Sequence, residues 1–156
     1  MPEARSRKIF LAISLIGLTI GSQVVFAQTL EKQNRMPAEK KISFINGTWE
    51  QVAALAKKNG KYIFVDTYTA WCSPCRQLKN VTFKDREAVA FFNGNFINYT
   101  VDMEKGEGVA LAEKWDITEY PTLLFFTPEG KMVMKQIGYM DGKQLIEIGK
   151  QALARK

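Results

Sequence analysis

Cys72-Ser73-Pro74-Cys75 concentrates the reactive chemistry of this sequence: its ends are the two cysteines of a 156-residue chain, with two residues between them. Thiols at this spacing can close a local disulfide, supply half of a tetrahedral metal site, or anchor a haem. Covalent haem attachment needs a histidine after the second cysteine, and Arg76 stands there. With no histidine and no third cysteine, a zinc site would have to draw its other ligands from carboxylates or a second subunit. A purely structural bridge around so small a loop gains little chain entropy. Cycling between dithiol and disulfide is the reading adopted, with no metal and no cofactor beyond the Cys72–Cys75 pair itself. The lack of histidine also removes every mechanism that uses an imidazole as base, acid or ligand.

The pair follows a continuous apolar run, Tyr62-Ile-Phe-Val65, and precedes a helical stretch. That run is the pattern of a strand buried on both faces. Cys72 therefore falls in the N-cap region and Pro74 in the first helical turn, where its missing N–H costs nothing. Free backbone N–H groups and the helix dipole stabilise a thiolate there. Cys72, expected to combine this position with exposure, is assigned as the nucleophile. Cys75, about one turn further in, is assigned as the shielded resolving thiol.

The elements that must position this pair alternate along the chain. Lys41–Ile45 is a short strand candidate, and Thr48 caps a helix over Trp49–Lys58 that ends at Asn59-Gly60. After Tyr62–Val65 and the cysteine turn, one helical stretch runs on, with Asp85 as a second N-cap, until Asn93-Gly94 stops it. Phe96–Val101 is the next strand and Gly108–Trp115 a short helix. Thr122–Thr127 and Met132–Ile137 form a hairpin around Pro128-Glu-Gly-Lys131, and Asp141 caps the final helix. The order β-α-β-α-β-α-β-β-α predicts an α/β fold with a central mixed sheet and helices on both faces. Trp49 and Trp115 are assigned to packing.

Val65-Asp66-x4-Trp71-Cys72-Ser73-Pro74-Cys75 is followed 45 residues later by Tyr120-Pro121-Thr122, which opens an apolar strand, and then by Glu129-Gly130-Lys131. This joint pattern resembles the thioredoxin superfamily from about residue 42 to residue 155. Val81-Thr-Phe-Lys-Asp85 and Asp102-Met-Glu-Lys-Gly106 are similar to the soluble C-terminal domain of the transmembrane thiol-disulfide interchange reductase of bacterial envelopes. The resemblance implies a thioredoxin-like fold in which Asp66 is a buried carboxyl of raised pKa that takes the proton from Cys75; read without it, Asp66 is a strand-end carboxylate facing solvent. It implies a cis-Pro121 facing the disulfide and a Tyr120 backbone that pairs with an extended substrate. Trp71, Ser73, Pro74, Tyr120 and Pro121 make up the implied substrate-contacting set.

Two departures from thioredoxin bear on the direction of the chemistry. Asn98 stands where thioredoxin often has a lysine near the buried carboxylate, so lysine-assisted tuning of Asp66 is not expected from that strand. Ser73-Pro74 lacks the histidine found between the cysteines of strong oxidants and isomerases of this fold. The expected function is therefore reduction of disulfides in envelope proteins, with a membrane-embedded thiol reductase as electron donor. The rival readings are an oxidase or isomerase on the same fold, and a non-catalytic binding module or metal carrier.

Arg5, Arg7 and Lys8 precede an apolar run over Ile9–Ile20, and Val25-Phe26-Ala27 supplies a small-residue cleavage site. Residues 1–27 are thus expected to be a signal peptide, residues 28–40 a flexible linker and residues 41–156 the domain, which makes the protein exported and periplasmic. An uncleaved N-terminal anchor is the alternative. The charge of +6 is spread over short scattered runs without interleaved aromatics, so no nucleic-acid partner is expected, and the domain is read as a monomer.

Overall fold

Strands that are apolar along their whole length need cover on both sides, and the chain provides it with helices placed alternately on the two faces of one sheet. The computed structural model describes residues 39–156; the predicted signal peptide and most of the predicted linker lie outside the described residues. The elements are β1 (Phe44–Ile45), α1 (Trp49–Asn59), β2 (Tyr62–Tyr68), α2 (Ser73–Asn80), a 3-10 turn (Thr82–Lys84) and α3 (Arg86–Asn95). They continue with β3 (Phe96–Asp102), α4 (Gly108–Lys114), β4 (Thr122–Phe126), β5 (Met132–Ile137) and α5 (Gly142–Leu153). The strands form a five-stranded sheet in the order β1-β3-β2-β4-β5. Pairing is parallel for β1 with β3 and for β3 with β2, and antiparallel for β2 with β4 and for β4 with β5. This is the expected mixed α/β sheet. Among the described residues no helix is long and apolar enough to cross a membrane.

The period-2 alternation of β2 divides the core. Ile63 and Val65 join Val52, Ala56, Leu111 and Trp115 beneath α1 and α4. Phe64 turns the other way, among Leu78, Phe83, Phe92, Phe125 and Leu145 beneath α2, α3 and α5. Trp49 packs edge-on against Trp115 with ring centroids 4.9 Å apart, in keeping with packing roles for both. The same alternation puts Asp66, two residues past Phe64, on the α2 side of the sheet.

Local chemistry sets the helix ends. Thr48 and Gln51 form a capping box at the start of α1, and Gly60, at φ 62°, closes it in the left-handed conformation that glycine adopts without strain. Asp141 and Gln144 repeat the capping box on α5.

The structure differs from the sequence expectation in four places. The single helical stretch after the cysteines is two helices: α2 ends at Val81 (φ −117°, ψ −70°), a 3-10 turn intervenes, and Asp85 caps α3 through the Glu87 and Ala88 N–H groups. β1 is shorter than Lys41–Ile45, because the Ile42 N–H donates to the Phe83 carbonyl and the Ser43 N–H to Asn93 Oδ1, which ties this segment to the helical layer instead of a strand. β2 runs on to Tyr68, because its ladder with β3 continues through Asp66↔Thr100, Thr67↔Val101 and Tyr68↔Asp102. α3 passes through Gly94 to Asn95, with its last turn held as the Phe96 N–H reaches the Phe92 carbonyl.

Candidate active site

The site forms where β2 hands over to α2. Cys72 is the N-cap of α2, with Ser73 and Pro74 in the first turn, so the chain enters the helix without wasting a donor on proline. The Cys72 N–H donates to the Thr69 carbonyl at 3.2 Å, and the Cys75 N–H donates to Cys72 Sγ at 3.1 Å. Cys72 and Cys75 are joined as a disulfide with their Cα atoms 5.3 Å apart. An N–H aimed at Cys72 Sγ from inside the first helical turn would stabilise negative charge on that sulfur.

The exposure expected to set Cys72 apart is not observed. Cys72 is 2% exposed and Cys75 6%, so both are buried. The two sulfurs differ instead in their place on the helix, since Cys72 accepts the N-terminal hydrogen bond. Ser73 and Pro74 are both exposed.

Asp66 is buried at 6% exposure, which excludes the solvent-facing reading. Together with Thr69, Cys75, Arg76, Lys79 and Thr100 it lines a partly enclosed cavity of about 200 Å³. Thr100 Oγ1 donates to Asp66 Oδ2 at 2.9 Å, while Asp66 Oδ1 and Thr69 Oγ1 are buried without a protein partner. Burial pushes the Asp66 carboxyl up from 3.8 to about 6; the Thr100 hydrogen bond and the positive charge of Lys79 oppose that rise without cancelling it.

Asn98 does not occupy the position near Asp66. It registers with Phe64, and its Nδ2 donates to Asn93 Oδ1 at 3.2 Å and to the Ser43 carbonyl at 3.4 Å, toward β1. The β3 residue opposite Asp66 is Thr100, two positions further along the same face. A lysine does act on Asp66, but it comes from α2. Lys79 is four residues after Cys75 and so on the same helical face, a signal present in the sequence and not used. Arg76 folds back toward the start of its helix, where Nη1 donates to the Ala70 carbonyl at 3.2 Å.

On the other side, Trp71 is 66% exposed and packs edge-on against Tyr120 with ring centroids 6.0 Å apart. Its Nε1 donates to Glu104 Oε1 at 2.9 Å, a partner that sequence reasoning did not single out. The Tyr120–Pro121 peptide bond is cis. The segment is held by Thr122 Oγ1 donating to the Glu119 carbonyl and Thr67 Oγ1 donating to the Thr122 carbonyl, both at 2.7 Å. Trp71, Ser73 and Pro74, which adjoin the cysteines in the chain, are exposed, and Tyr120, packed on Trp71, is half-buried.

A disulfide at a helix N-terminus, over a buried carboxyl in an α/β sheet of this topology, defines a thiol-disulfide oxidoreductase with a thioredoxin-like fold. The chain belongs to the thioredoxin-like domain family, whose sequence profile matches residues 49–153. It is 33% identical over 86 residues to the thiol:disulfide interchange protein DsbD of Pseudoalteromonas atlantica, a match covering 54% of this chain and 14% of DsbD. The DsbD of Salmonella typhimurium is 30% identical over 108 residues, covering 67% of this chain and 19% of that protein. The chain thus spans under a fifth of the length of these curated relatives. Among solved structures, a candidate disulphide-isomerase from Bacteroides thetaiotaomicron shares 37% identity at a TM-score of 0.67, covering 75% of this chain and 97% of the other. The oxidised C-terminal domain of Neisseria meningitidis DsbD, at 18% identity and a TM-score of 0.59 over 70% of this chain and 99% of that domain, shares the fold.

Proposed function

We propose that the protein reduces disulfides of exported proteins through the Cys72–Cys75 pair. The observation that carries this reading is the Asp66 carboxyl, buried in the same cavity as Cys75 and with a pKa raised to about 6, near enough to neutrality to exchange a proton with a thiol. In the reduced protein the Cys72 thiolate attacks a substrate disulfide, forming a Cys72–substrate mixed disulfide and releasing the first substrate thiolate. The Cys75 thiol then gives its proton to Asp66, and its sulfur attacks Cys72 Sγ. The mixed disulfide breaks, the second substrate thiolate leaves with the electron pair, and the Cys72–Cys75 disulfide re-forms. Trp71, Ser73, Pro74, Tyr120 and Pro121 hold the extended substrate across the pair. The relationship to thiol:disulfide interchange proteins supports a membrane-embedded reductase as electron donor and an exported, periplasmic location.

The test is reduction of insulin disulfides by the full chain, combined with trapping. Cys75→Ser is expected to accumulate mixed disulfides with client proteins through Cys72, and Cys72→Ser to trap none. Equal trapping by both variants would overturn the assignment of attacking and resolving thiols. An isomerase is the second reading, favoured by the name of the Bacteroides relative. Reactivation of scrambled ribonuclease faster than insulin reduction would select it.

A further inference from the structure

The cavity beside the disulfide holds two buried polar atoms that the relay as described leaves unused, Asp66 Oδ1 and Thr69 Oγ1. Buried hydroxyl and carboxyl oxygens are hydrogen-bonded in the great majority of folded proteins, so two orphans on the wall of one cavity ask for a shared partner. At about 200 Å³ the cavity has room for several waters, each of which takes about 30 Å³ in the liquid. Cys75 lines the same space, and Thr69 is fixed beside it because its carbonyl accepts the Cys72 N–H at 3.2 Å. Asp66 Oδ2 is already engaged by Thr100, which leaves Oδ1 as the carboxyl oxygen free to exchange a proton.

We propose that Thr69 is a positioning residue whose hydroxyl, together with Asp66 Oδ1, holds a water that carries the proton between Cys75 and Asp66. As Cys75 prepares to attack, its thiol donates to this water and the water donates to Oδ1, so one proton leaves sulfur and one arrives on the carboxylate with no net change in the water. The Cys75 sulfur then bonds to Cys72 Sγ and the substrate thiolate departs with the electron pair. Thr69 accepts or donates to the water throughout and is itself unchanged. The other ionisable groups about Asp66 are Tyr68 on β2, Asp102 on β3 in its ion pair with Lys105, and Arg76 and Lys79 on α2; of these only Tyr68 carries a hydroxyl, and that residue is half-buried, whereas the Thr69 hydroxyl is buried without a protein partner.

This inference rests on Asp66 acting as the proton acceptor, and its test separates the two. In the full chain, Thr69→Val keeps the shape of the side chain and removes the hydroxyl, while Thr69→Ser restores it. Resolution of the mixed disulfide, followed in a rapid-mixing experiment, is expected to slow several-fold in Thr69→Val near neutral pH, to recover in Thr69→Ser, and to converge with wild type at alkaline pH where Cys75 ionises unaided. In an Asp66→Asn background, Thr69→Val should add no further loss. A folded Thr69→Val with an unchanged rate and pH profile, while Asp66→Asn is slow, overturns the water bridge alone. An unchanged rate in Asp66→Asn overturns the Asp66 reading beneath it. Should Thr69→Val not fold, a high-resolution structure of the wild-type protein decides: a water within hydrogen-bond distance of both Thr69 Oγ1 and Asp66 Oδ1 supports the inference, and direct contact between these atoms without one overturns it.

Discussion

Asp66 carries a cost that shows in stability as well as in chemistry. Its carboxyl titrates near 6 in the folded chain against 3.8 as the unperturbed value, so between those pH values the folded state binds more protons than the unfolded one. Stability contributed by the neutral carboxyl is therefore full below about pH 4, falls as pH rises toward 6, and stays reduced above it by an amount on the order of 3 kcal/mol. Asp66→Asn removes that penalty. Urea unfolding at pH 7.5 is expected to show the variant more stable than wild type, with the gap closing toward pH 4; a variant less stable at pH 7.5 would mean that the carboxylate is well solvated. Lys79 opposes the rise from α2, so Lys79→Met should push the Asp66 titration, read by carboxyl NMR, further up, and Lys79→Arg should hold it. An unmoved titration in Lys79→Met would remove Lys79 from the site's electrostatics. The cysteines were legible in the sequence because their spacing is local; Asp66 was legible only through the resemblance, since a lone carboxylate at the end of an apolar run reads as solvent-facing. Thr100 was not: pairing Asp66 with Thr100 rather than with a neighbourhood of Asn98 depends on sheet register, which no local pattern encodes.

The positions of these side chains depend on how their elements begin and end. Most strands and caps were readable, because continuous apolar runs and Thr48, Asp85 and Asp141 are local signals. The break after α2 was not, since Val81 has no helix-breaking chemistry of its own; the chain turns there because Thr82 and Phe83 are drawn into the core, with Thr82 Oγ1 donating to the Met140 carbonyl at 2.7 Å. The β3–α4 connection matters in a similar way. It carries Glu104 to Trp71 and Glu107 to the Tyr99 hydroxyl at 2.6 Å. At Gly108 the helix approaches so closely that an added Cβ would collide with the Asp102 carbonyl and the Met103 Cα. Backbone cannot yield as a side chain can. Gly108→Ala is therefore expected to destabilise the domain by about 1–3 kcal/mol and to loosen the Trp71 contact. Urea unfolding with Trp fluorescence checks both, and a variant as stable as wild type would show that the connection has room to shift.

The fold class was legible in the alternation of elements, because buried parallel strands and intervening helices leave few arrangements, and the sheet order agrees with it. The direction in which the protein works depends instead on the relative stability of its oxidised and reduced forms. A strong oxidant stabilises its reduced form through a very acidic attacking thiol. Here Cys72 Sγ receives one helix N–H, and neither Ser73 nor Pro74 brings a positive charge. The Arg76 guanidinium keeps its charge but donates to the Ala70 carbonyl, while the hydrogen bond at Cys72 Sγ comes from the Cys75 N–H. Equilibration of the full chain with glutathione redox buffers measures the balance directly. A reductase calls for a potential near the thioredoxin end of the range, on the order of −230 to −270 mV, whereas a value above about −180 mV, where protein disulfide isomerase lies, would contradict it.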